Sequence, residues 1–265
     1  MRRARGHARQ GRSQAHHQEA VAFPMDPQVR PPLASFQDIA RLIDHTLVKP
    51  ELTGAQVVEG LELAKCCHVA SATVRPCDIE MAVRILQGSP VRLASVSGFP
   101  HGSQNTAAKL YETRDLLRRG AKEIDMVVAI SKLLSREFQH VQVELLQVSE
   151  LCHKEGAVLK VILETAYLTD ELKIIACRCA ARAGVDFVQT STGFAPAEAT
   201  IEDVQLLRKY LPEEIGIKAA ALRTVDQVLE AYAAGCSRIG TDATAAILEE
   251  WKARLAAGTV APLAG

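Results

Sequence analysis

Residues 158–189 carry a strand–helix–strand pattern that indicates the fold. Val158-Leu-Lys-Val-Ile-Leu163 comes first, a helical segment closes at Ala183-Gly184, and Val185-Asp-Phe-Val-Gln189 follows at once. Glycine directly after a helix is a common C-terminal signal. Two strands joined by a helix form a parallel pair, because the helix returns the chain to the end of the sheet where the first strand began.

The same alternation runs from about residue 40 to the end of the folded region. Eight apolar runs are candidate strands: Leu42–Leu47, His68–Val74, Arg92–Ser97, Glu123–Val128, Val158–Leu163, Val185–Gln189, Ile215–Ala219 and Ser237–Gly240. Thr106–Arg119 is the clearest amphipathic helix, and Asp170, Thr200 and Thr224 are candidate helix N-caps. Eight strand–helix units predict an α/β fold, a closed (β/α)8 TIM barrel. The alternative is a doubly wound open sheet, which the lack of Gly-x-Gly-x-x-Gly after the first strand disfavours.

The N-terminal segment differs in composition from the rest of the chain. Met1–Gln18 contains five arginines, three histidines and no acidic residue. Such a segment lacks the apolar side chains needed to form a packed core. We therefore expect residues 1–35 to be a disordered tail or an over-extended start, residues 36–258 a single (β/α)8 barrel, and residues 259–265 a short tail.

The composition argues against several classes of partner. Basic and acidic side chains balance at 31 each and aromatic residues make up 4%, which disfavours nucleic-acid binding. No apolar stretch reaches the roughly 18 residues of a membrane span. The seven cysteines have no zinc spacing, and His45, His68 and His101 have no ligand spacing. We expect no metal, no cofactor, free thiols and a cytoplasmic location.

Polar residues interrupt the candidate strands where a purely structural barrel would carry Val or Ile. They are Asp44, Thr46, Asp125, Lys160, Glu164 at the end of its strand, Gln189 and Lys218. Outward-pointing side chains or an internal ion pair would be the structural explanation. However, burying several charges is unfavourable unless they pair with one another. Active sites of such barrels lie at the C-terminal ends of the strands. Two lysines and an aspartate there suit imine chemistry on a carbonyl compound.

Several motifs resemble those of the 2-deoxyribose-5-phosphate aldolase family, class I aldolases with a (β/α)8 fold. The motifs are Leu42-Ile-Asp-His-Thr-Leu-Val-Lys-Pro50, Gly98-Phe-Pro-His-Gly102, Glu123-Ile-Asp-Met-Val-Val128, Leu159-Lys-Val-Ile-Leu-Glu-Thr165, Thr190-Ser-Thr-Gly-Phe194 and Ile239-Gly-Thr241. The resemblance covers residues 38–250. It implies cleavage of a sugar phosphate to acetaldehyde and glyceraldehyde 3-phosphate. Members of the family often form dimers or higher oligomers, so the resemblance is compatible with a homo-oligomer of this chain.

The resemblance also assigns roles, and one position departs from it. The Schiff-base lysine of the family falls at Gln189, and an amide cannot form an imine. Lys218 matches the second lysine, which tunes the first, and Asp125 matches the proton-shuttling aspartate. Three further matches, Asp44, Thr46 and Lys160, complete the polar set.

The phosphate-binding segments depart as well. Lys218 is followed by Ala-Ala-Ala-Leu-Arg-Thr224, without the family's glycines, and Gly240-Thr-Asp-Ala-Thr244 replaces a small polar loop. Asp242 would repel a phosphate dianion, and it could instead cap the following helix. Thr73, in Ala72-Thr-Val-Arg-Pro76, and Thr190 are further candidate substrate-binding residues.

Four functions fit these observations. The leading one is an aldol-type carbon–carbon lyase for an unphosphorylated carbonyl substrate, a small molecule. In it, Lys218 forms the imine, Lys160 lowers the pKa of Lys218, Asp125 moves protons, and Gln189 hydrogen-bonds the substrate or holds Lys218. The alternatives are an acid–base isomerase, dehydratase or cyclase without an imine, a non-catalytic barrel that binds a ligand or partner, and a weak ordinary deoxyribose-phosphate aldolase.

Overall fold

The protein forms a closed barrel of eight parallel strands in sequence order, so the predicted (β/α)8 TIM barrel is confirmed. The computed structural model describes residues 31–259. The strands are β1 (Ile43–Leu47), β2 (Ser71–Val74), β3 (Arg92–Ser97), β4 (Glu123–Val127), β5 (Val158–Ile162), β6 (Phe187–Gln189), β7 (Gly216–Ala220) and β8 (Arg238–Thr241). Closure comes from pairing of β8 with β1, which leaves no open sheet edge.

Helices surround the barrel. They are α1 (Phe36–Ala40), α2 (Gly54–Cys67), α3 (Ile79–Leu86), α4 (Thr106–Arg118), α5 (Ile130–Leu134), α6 (Phe138–Lys154), α7 (Asp170–Ala183), α8 (Ile201–Tyr210), α9 (Val225–Ala233) and α10 (Thr244–Ala256), with short 3₁₀ turns at Pro76–Asp78 and Thr165–Tyr167. Within residues 31–259 no helix combines the length and apolar character needed to cross a membrane.

Helix starts follow the predicted capping chemistry with one exception. The hydroxyl oxygens of Thr200 and Thr224 accept hydrogen bonds from the backbone N–H three residues on, which confirms both N-caps. The prediction of Asp170 as an N-cap was wrong. Thr169 caps α7 by accepting from Leu172 N–H, and Asp170 is the first helical residue. A threonine in extended conformation can present its hydroxyl to the free N–H groups of the first turn.

The folded region begins earlier than the sequence indicates. Leu33 is buried, Ser35 caps α1, and the Trp251 indole N–H donates to the Ser35 carbonyl at 2.9 Å. Tyr232 Oη likewise donates to the Pro31 carbonyl at 3.0 Å. Residues 31–35 therefore pack on the barrel instead of belonging to the tail. Of the predicted tails, 1–35 and 259–265, residues 1–30 and 260–265 lie outside the described residues.

The register of the strands determines which side chains share the interior. Asp125 lies beside Lys160 across β4 and β5, and Gln189 lies beside Lys218 across β6 and β7. Side chains alternate along a strand, so Glu123 points to the same face as Asp125. The strands are buried on both faces, because helices cover the outside and the closed barrel covers the inside. Polar side chains on the inner face must therefore find partners there.

Gly216 should be required for packing at the base of the barrel. A methyl group added there would lie 2.3 Å from the ring of Phe187 on the neighbouring strand, and the Arg238 guanidinium lies 5.5 Å from the centroid of that ring. Gly216→Ala should lower the free energy of unfolding by about 1–3 kcal/mol, measured by denaturant titration. Gly54→Ala is the control, because nothing lies within 4 Å of the added methyl, and it should be neutral or slightly stabilising. Equal losses in both variants would contradict this packing argument.

Candidate active site

A network of buried charges occupies the interior of the barrel. Lys160 Nζ lies 2.8 Å from Asp44 Oδ2, 2.5 Å from Glu123 Oε2 and 3.1 Å from Asp125 Oδ1. Lys218 Nζ lies 2.6 Å from Asp125 Oδ2 and 3.0 Å from Asp44 Oδ2. Asp44 and Asp125 thus each bridge both ammonium groups. This arrangement fixes the end of the Lys218 side chain.

A third, partly buried cation joins the network. The Arg238 guanidinium lies 2.5 Å from Asp44 Oδ1 and 3.3 Å from Glu123 Oε1. Burial alone would raise the pKa of Asp44, but the charges of Lys160, Lys218 and Arg238 outweigh it and hold that pKa well below its ordinary value. Three carboxylates and three cations therefore lie together, and each has an oppositely charged partner at hydrogen-bond distance, which offsets the cost of burying them.

The structure changes the expected role of Lys160. Burial acts to lower the pKa of its ammonium, but the carboxylates of Asp125, Asp44 and Glu123 outweigh burial and raise it. Its positive charge is taken up by three carboxylates, so it does not act on Lys218 as an unpaired ammonium. The Lys160 ammonium contacts the carboxylates of both aspartates, Asp44 and Asp125.

A cavity of about 80 Å³ opens at the C-terminal ends of the strands, directly above the network. Six of the sequence-predicted site residues line it: Thr46, Thr73, Asp125, Gln189, Lys218 and Asp242. The network residues Asp44 and Lys160 lie beneath them and are fully buried. Lys218 is therefore a lysine with carboxylate partners that also faces an open cavity.

Two predicted residues have structural partners instead. The Thr190 hydroxyl accepts a hydrogen bond from Ala220 N–H at 3.2 Å, and Thr190 does not line the cavity. The Glu164 carboxylate accepts from Thr192 N–H at 3.1 Å and from the Thr192 hydroxyl. Burial raises the pKa of Glu164, against the effect of these hydrogen bonds. Both side chains have partners in or next to the loop after β6, and neither residue lines the cavity that Lys218 lines.

Gln189 is oriented by its own loop. Its Nε2 donates to the Ser191 carbonyl at 2.7 Å, while its Oε1 has no hydrogen-bond partner among the described residues. The expectation that Gln189 holds Lys218 is therefore wrong. Thr73 Oγ1 on β2 also lacks a partner within the described structure. Both oxygens belong to residues of the cavity wall.

The rim carries a salt bridge where the resemblance implies a phosphate site. Lys49 Nζ lies 2.6 Å from Asp242 Oδ2, and an Arg223 guanidinium nitrogen lies 3.9 Å from the same oxygen. Burial would raise the pKa of Asp242, but the hydrogen bond and charge of Lys49 together with Arg223 lower it. The prediction that Asp242 caps α10 was wrong: Ala243 occupies the N-cap position, with no side-chain hydrogen bond.

Sequence reasoning missed four residues of this site. Glu123 and Arg238 of the network were within predicted strands, and Glu123 precedes Asp125 by two residues, which places both on one face. Lys49 and Arg223 line the cavity from loops after β1 and β7. Their partner Asp242 is far from them along the chain, so no local spacing could have revealed these pairs.

A second cavity of about 750 Å³ adjoins the first. Five residues line both cavities and form a shared wall: Val48, Val96, Phe99, Thr192 and Phe194. The rings of Phe99 and Phe194 meet edge to face, with centroids 5.4 Å apart. Glu164 and Tyr167 line this second cavity only.

The fold and the site together define a class. A parallel (β/α)8 barrel whose C-terminal mouth holds an inward lysine between carboxylates is an aldolase-type barrel. The chain belongs to the DeoC/LacD family of aldolases, whose model matches residues 23–237.

Individual relatives agree with this assignment. A deoxyribose-phosphate aldolase from Caldanaerobacter subterraneus subsp. tengcongensis is 42% identical over 220 residues, which cover 82% of this chain and 95% of that protein. A deoxyribose-phosphate aldolase from Streptococcus sanguinis is 42% identical over 210 residues, which cover 79% of this chain and 94% of that protein. The tetrameric deoxyribose phosphate aldolase from Aeropyrum pernix superposes with a TM-score of 0.78 at 30% identity, with 83% and 94% covered.

Lys160 should be essential for stability as well as for the site. Lys160→Met leaves three buried carboxylates without their shared ammonium, which should lower the free energy of unfolding by about 3–5 kcal/mol in denaturant titration at neutral pH. Lys154→Met, at an exposed position on α6, is the control and should change it by less than about 0.5 kcal/mol. A loss below about 1 kcal/mol in Lys160→Met would show that the network does not depend on this ammonium.

Proposed function

We propose that the protein is an aldol-type carbon–carbon lyase in which Lys218 forms an imine with an unphosphorylated carbonyl substrate. The observation that carries the proposal is that Lys218 lines the cavity while its Nζ lies 2.6 Å from Asp125 Oδ2. Nucleophile and proton acceptor are thus already in hydrogen-bond contact. Membership of an aldolase family supports the same class of reaction.

The reaction can be written with these two groups. Lys218 passes a proton to Asp125, and the free amine adds to the carbonyl carbon to give a carbinolamine. Asp125 returns the proton to the departing hydroxyl, which leaves as water and yields an iminium ion. The carboxylate then removes the proton of the β-hydroxyl, the carbon–carbon bond breaks, and its electrons form an enamine with release of an aldehyde. Protonation of the enamine carbon and hydrolysis release the second carbonyl product and restore Lys218.

The charge at the rim supports a substrate without phosphate. Phosphate sites in such barrels use backbone N–H groups and unpaired cations. Here the cations Lys49 and Arg223 face a carboxylate of the protein itself, Asp242. A dianion would have to displace or approach that carboxylate, which disfavours its binding.

A second candidate function rests on the two carboxylates around Lys218. Asp44 and Asp125 both lie within 3.0 Å of its Nζ, which suits an ammonium that donates a proton. An isomerase, dehydratase or cyclase could use Lys218 as the acid and Asp125 as the base, without an imine.

Trapping with borohydride tests the imine directly. Acetaldehyde and borohydride should leave an N-ethyl group on the Lys218 peptide, seen by mass spectrometry, at a rate well above that of surface lysines. Lys218→Arg, which keeps the charge, and Lys218→Met should both abolish this adduct. Folding of each variant is checked by circular dichroism. Absence of any Lys218 adduct across a panel of aldehydes and ketones would refute the proposal, and turnover without an adduct would establish the acid–base alternative.

Removing the rim carboxylate tests the choice of substrate. Asp242→Ser frees Lys49 and Arg223, so the ratio of kcat/KM for deoxyribose 5-phosphate to that for deoxyribose should rise by about tenfold or more. Asp226→Ser, the same change outside the cavity, should leave the ratio unaltered. A second variant tests the same carboxylate. Gln189→Lys alone should give little turnover of deoxyribose 5-phosphate, because Asp242 still opposes binding of its phosphate group. Robust turnover of deoxyribose 5-phosphate by Gln189→Lys alone would contradict the assigned role of Asp242.

A further inference from the structure

Two uncharged side-chain oxygen atoms of residues that line the Lys218 cavity have no hydrogen-bond partner within the described structure. They are Gln189 Oε1 and Thr73 Oγ1, and their residues are 5% and 2% exposed. Buried polar atoms in folded proteins nearly always have partners. Two buried, unpaired oxygens on residues that line one cavity therefore indicate a ligand that supplies hydrogen bonds there.

The orientation of the Gln189 amide is determined by its surroundings. Its Nε2 lies 2.7 Å from the Ser191 carbonyl oxygen, which can only accept a hydrogen bond. If the amide were reversed, its oxygen and the Ser191 carbonyl oxygen would lie 2.7 Å apart, and both are acceptors. The amide oxygen is thus held away from Ser191, at the cavity wall, as an acceptor that needs a donor.

The position of Gln189 relative to Lys218 limits where that donor can be. The two residues are direct neighbours in register on β6 and β7, and adjacent strands lie about 4.8 Å apart. A carbonyl carbon bonded to Lys218 Nζ would therefore bring its nearest substituents close to the amide. An ammonium substituent would face Lys218 with like charge, so a hydroxyl is the fitting donor.

The charges of the cavity point to a neutral compound. Six charged residues of the described structure line it: Lys49, Lys218 and Arg223 against Asp125, Glu198 and Asp242. Positive and negative side chains balance at three each. The lining thus has no surplus of either charge to bind a carboxylate, a phosphate or an amine.

We propose that Gln189 is a specificity-determining residue that accepts a hydrogen bond from a hydroxyl group within about two carbon atoms of the reacting carbonyl. The substrates are then neutral hydroxyaldehydes or hydroxyketones. This inference rests on the proposed function, because it takes Lys218 as the group that binds the carbonyl. A compound without the hydroxyl leaves the amide oxygen buried and unpaired, so it is selected against.

The experiment compares two ketones that differ by one hydroxyl group, hydroxyacetone and acetone. Borohydride trapping on Lys218 should be faster for hydroxyacetone in the native protein. Gln189→Met, which has similar volume and no amide acceptor, should reduce the hydroxyacetone-to-acetone rate ratio by about tenfold. The fall in the ratio should come mainly from slower trapping of hydroxyacetone. The matched control is Gln147→Met, on the exposed face of α6, which should keep the native ratio. The intrinsic reactivity of the two ketones is the same for every variant, so it cancels when the ratios are compared.

Binding without reduction separates this inference from the proposed function. Saturation-transfer NMR gives the affinity ratio of the two ketones for native, Gln189→Met and Lys218→Met proteins. A preference for hydroxyacetone that survives in Lys218→Met and disappears in Gln189→Met supports the role of Gln189, even if no adduct forms and the lyase proposal fails. The same trapping and affinity ratios in native and Gln189→Met proteins would overturn the inference while leaving an observed Lys218 adduct intact.

Discussion

The shared contacts of Asp44 and Asp125 with two buried lysines are the interaction on which the site depends. These four residues come from β1, β4, β5 and β7, and three of their four ion pairs join strands that are not neighbours in the barrel. Buried charges are unfavourable one by one and tolerated only as a set. The closed barrel supplies the geometry in which the set can be complete. In return, the set fixes Lys218 at the floor of the cavity.

This arrangement assigns different roles to the two lysines. Lys160 is enclosed by carboxylates beneath the cavity, whereas Lys218 shares two of those carboxylates and also reaches the open space above. The resemblance places the family's imine-forming lysine at Gln189, whose side chain carries an amide in place of an amine. In the proposed function the imine-forming group is on β7, one strand away from Gln189 on β6, and the carboxylates beneath the cavity contact it there.

The fold could be predicted from the sequence because the alternation of strand and helix signals is a local property of the chain. The inward-facing site residues could be predicted for the same reason, since Asp125, Gln189 and Lys218 interrupt otherwise apolar strands. Pairing between distant elements is not local. Nothing near Asp242 indicates Lys49, and the partners of Arg238 are on β1 and β4. The hydrogen bond from Gln189 to Ser191 depends on how the loop after β6 turns back, which the residue pattern does not specify.

The rim pair of Lys49 and Asp242 also bears on how substrate arrives. Barrel mouths lined by one sign of charge draw oppositely charged ligands in by long-range attraction, and salt weakens that attraction. Here the two charges lie 2.6 Å apart, so their fields largely cancel a short distance into the solvent. Encounter is then governed by ordinary diffusion and orientation, and the association rate becomes nearly independent of ionic strength. Such a rim offers little long-range attraction to anions, and the approach of a neutral molecule to it does not depend on salt concentration.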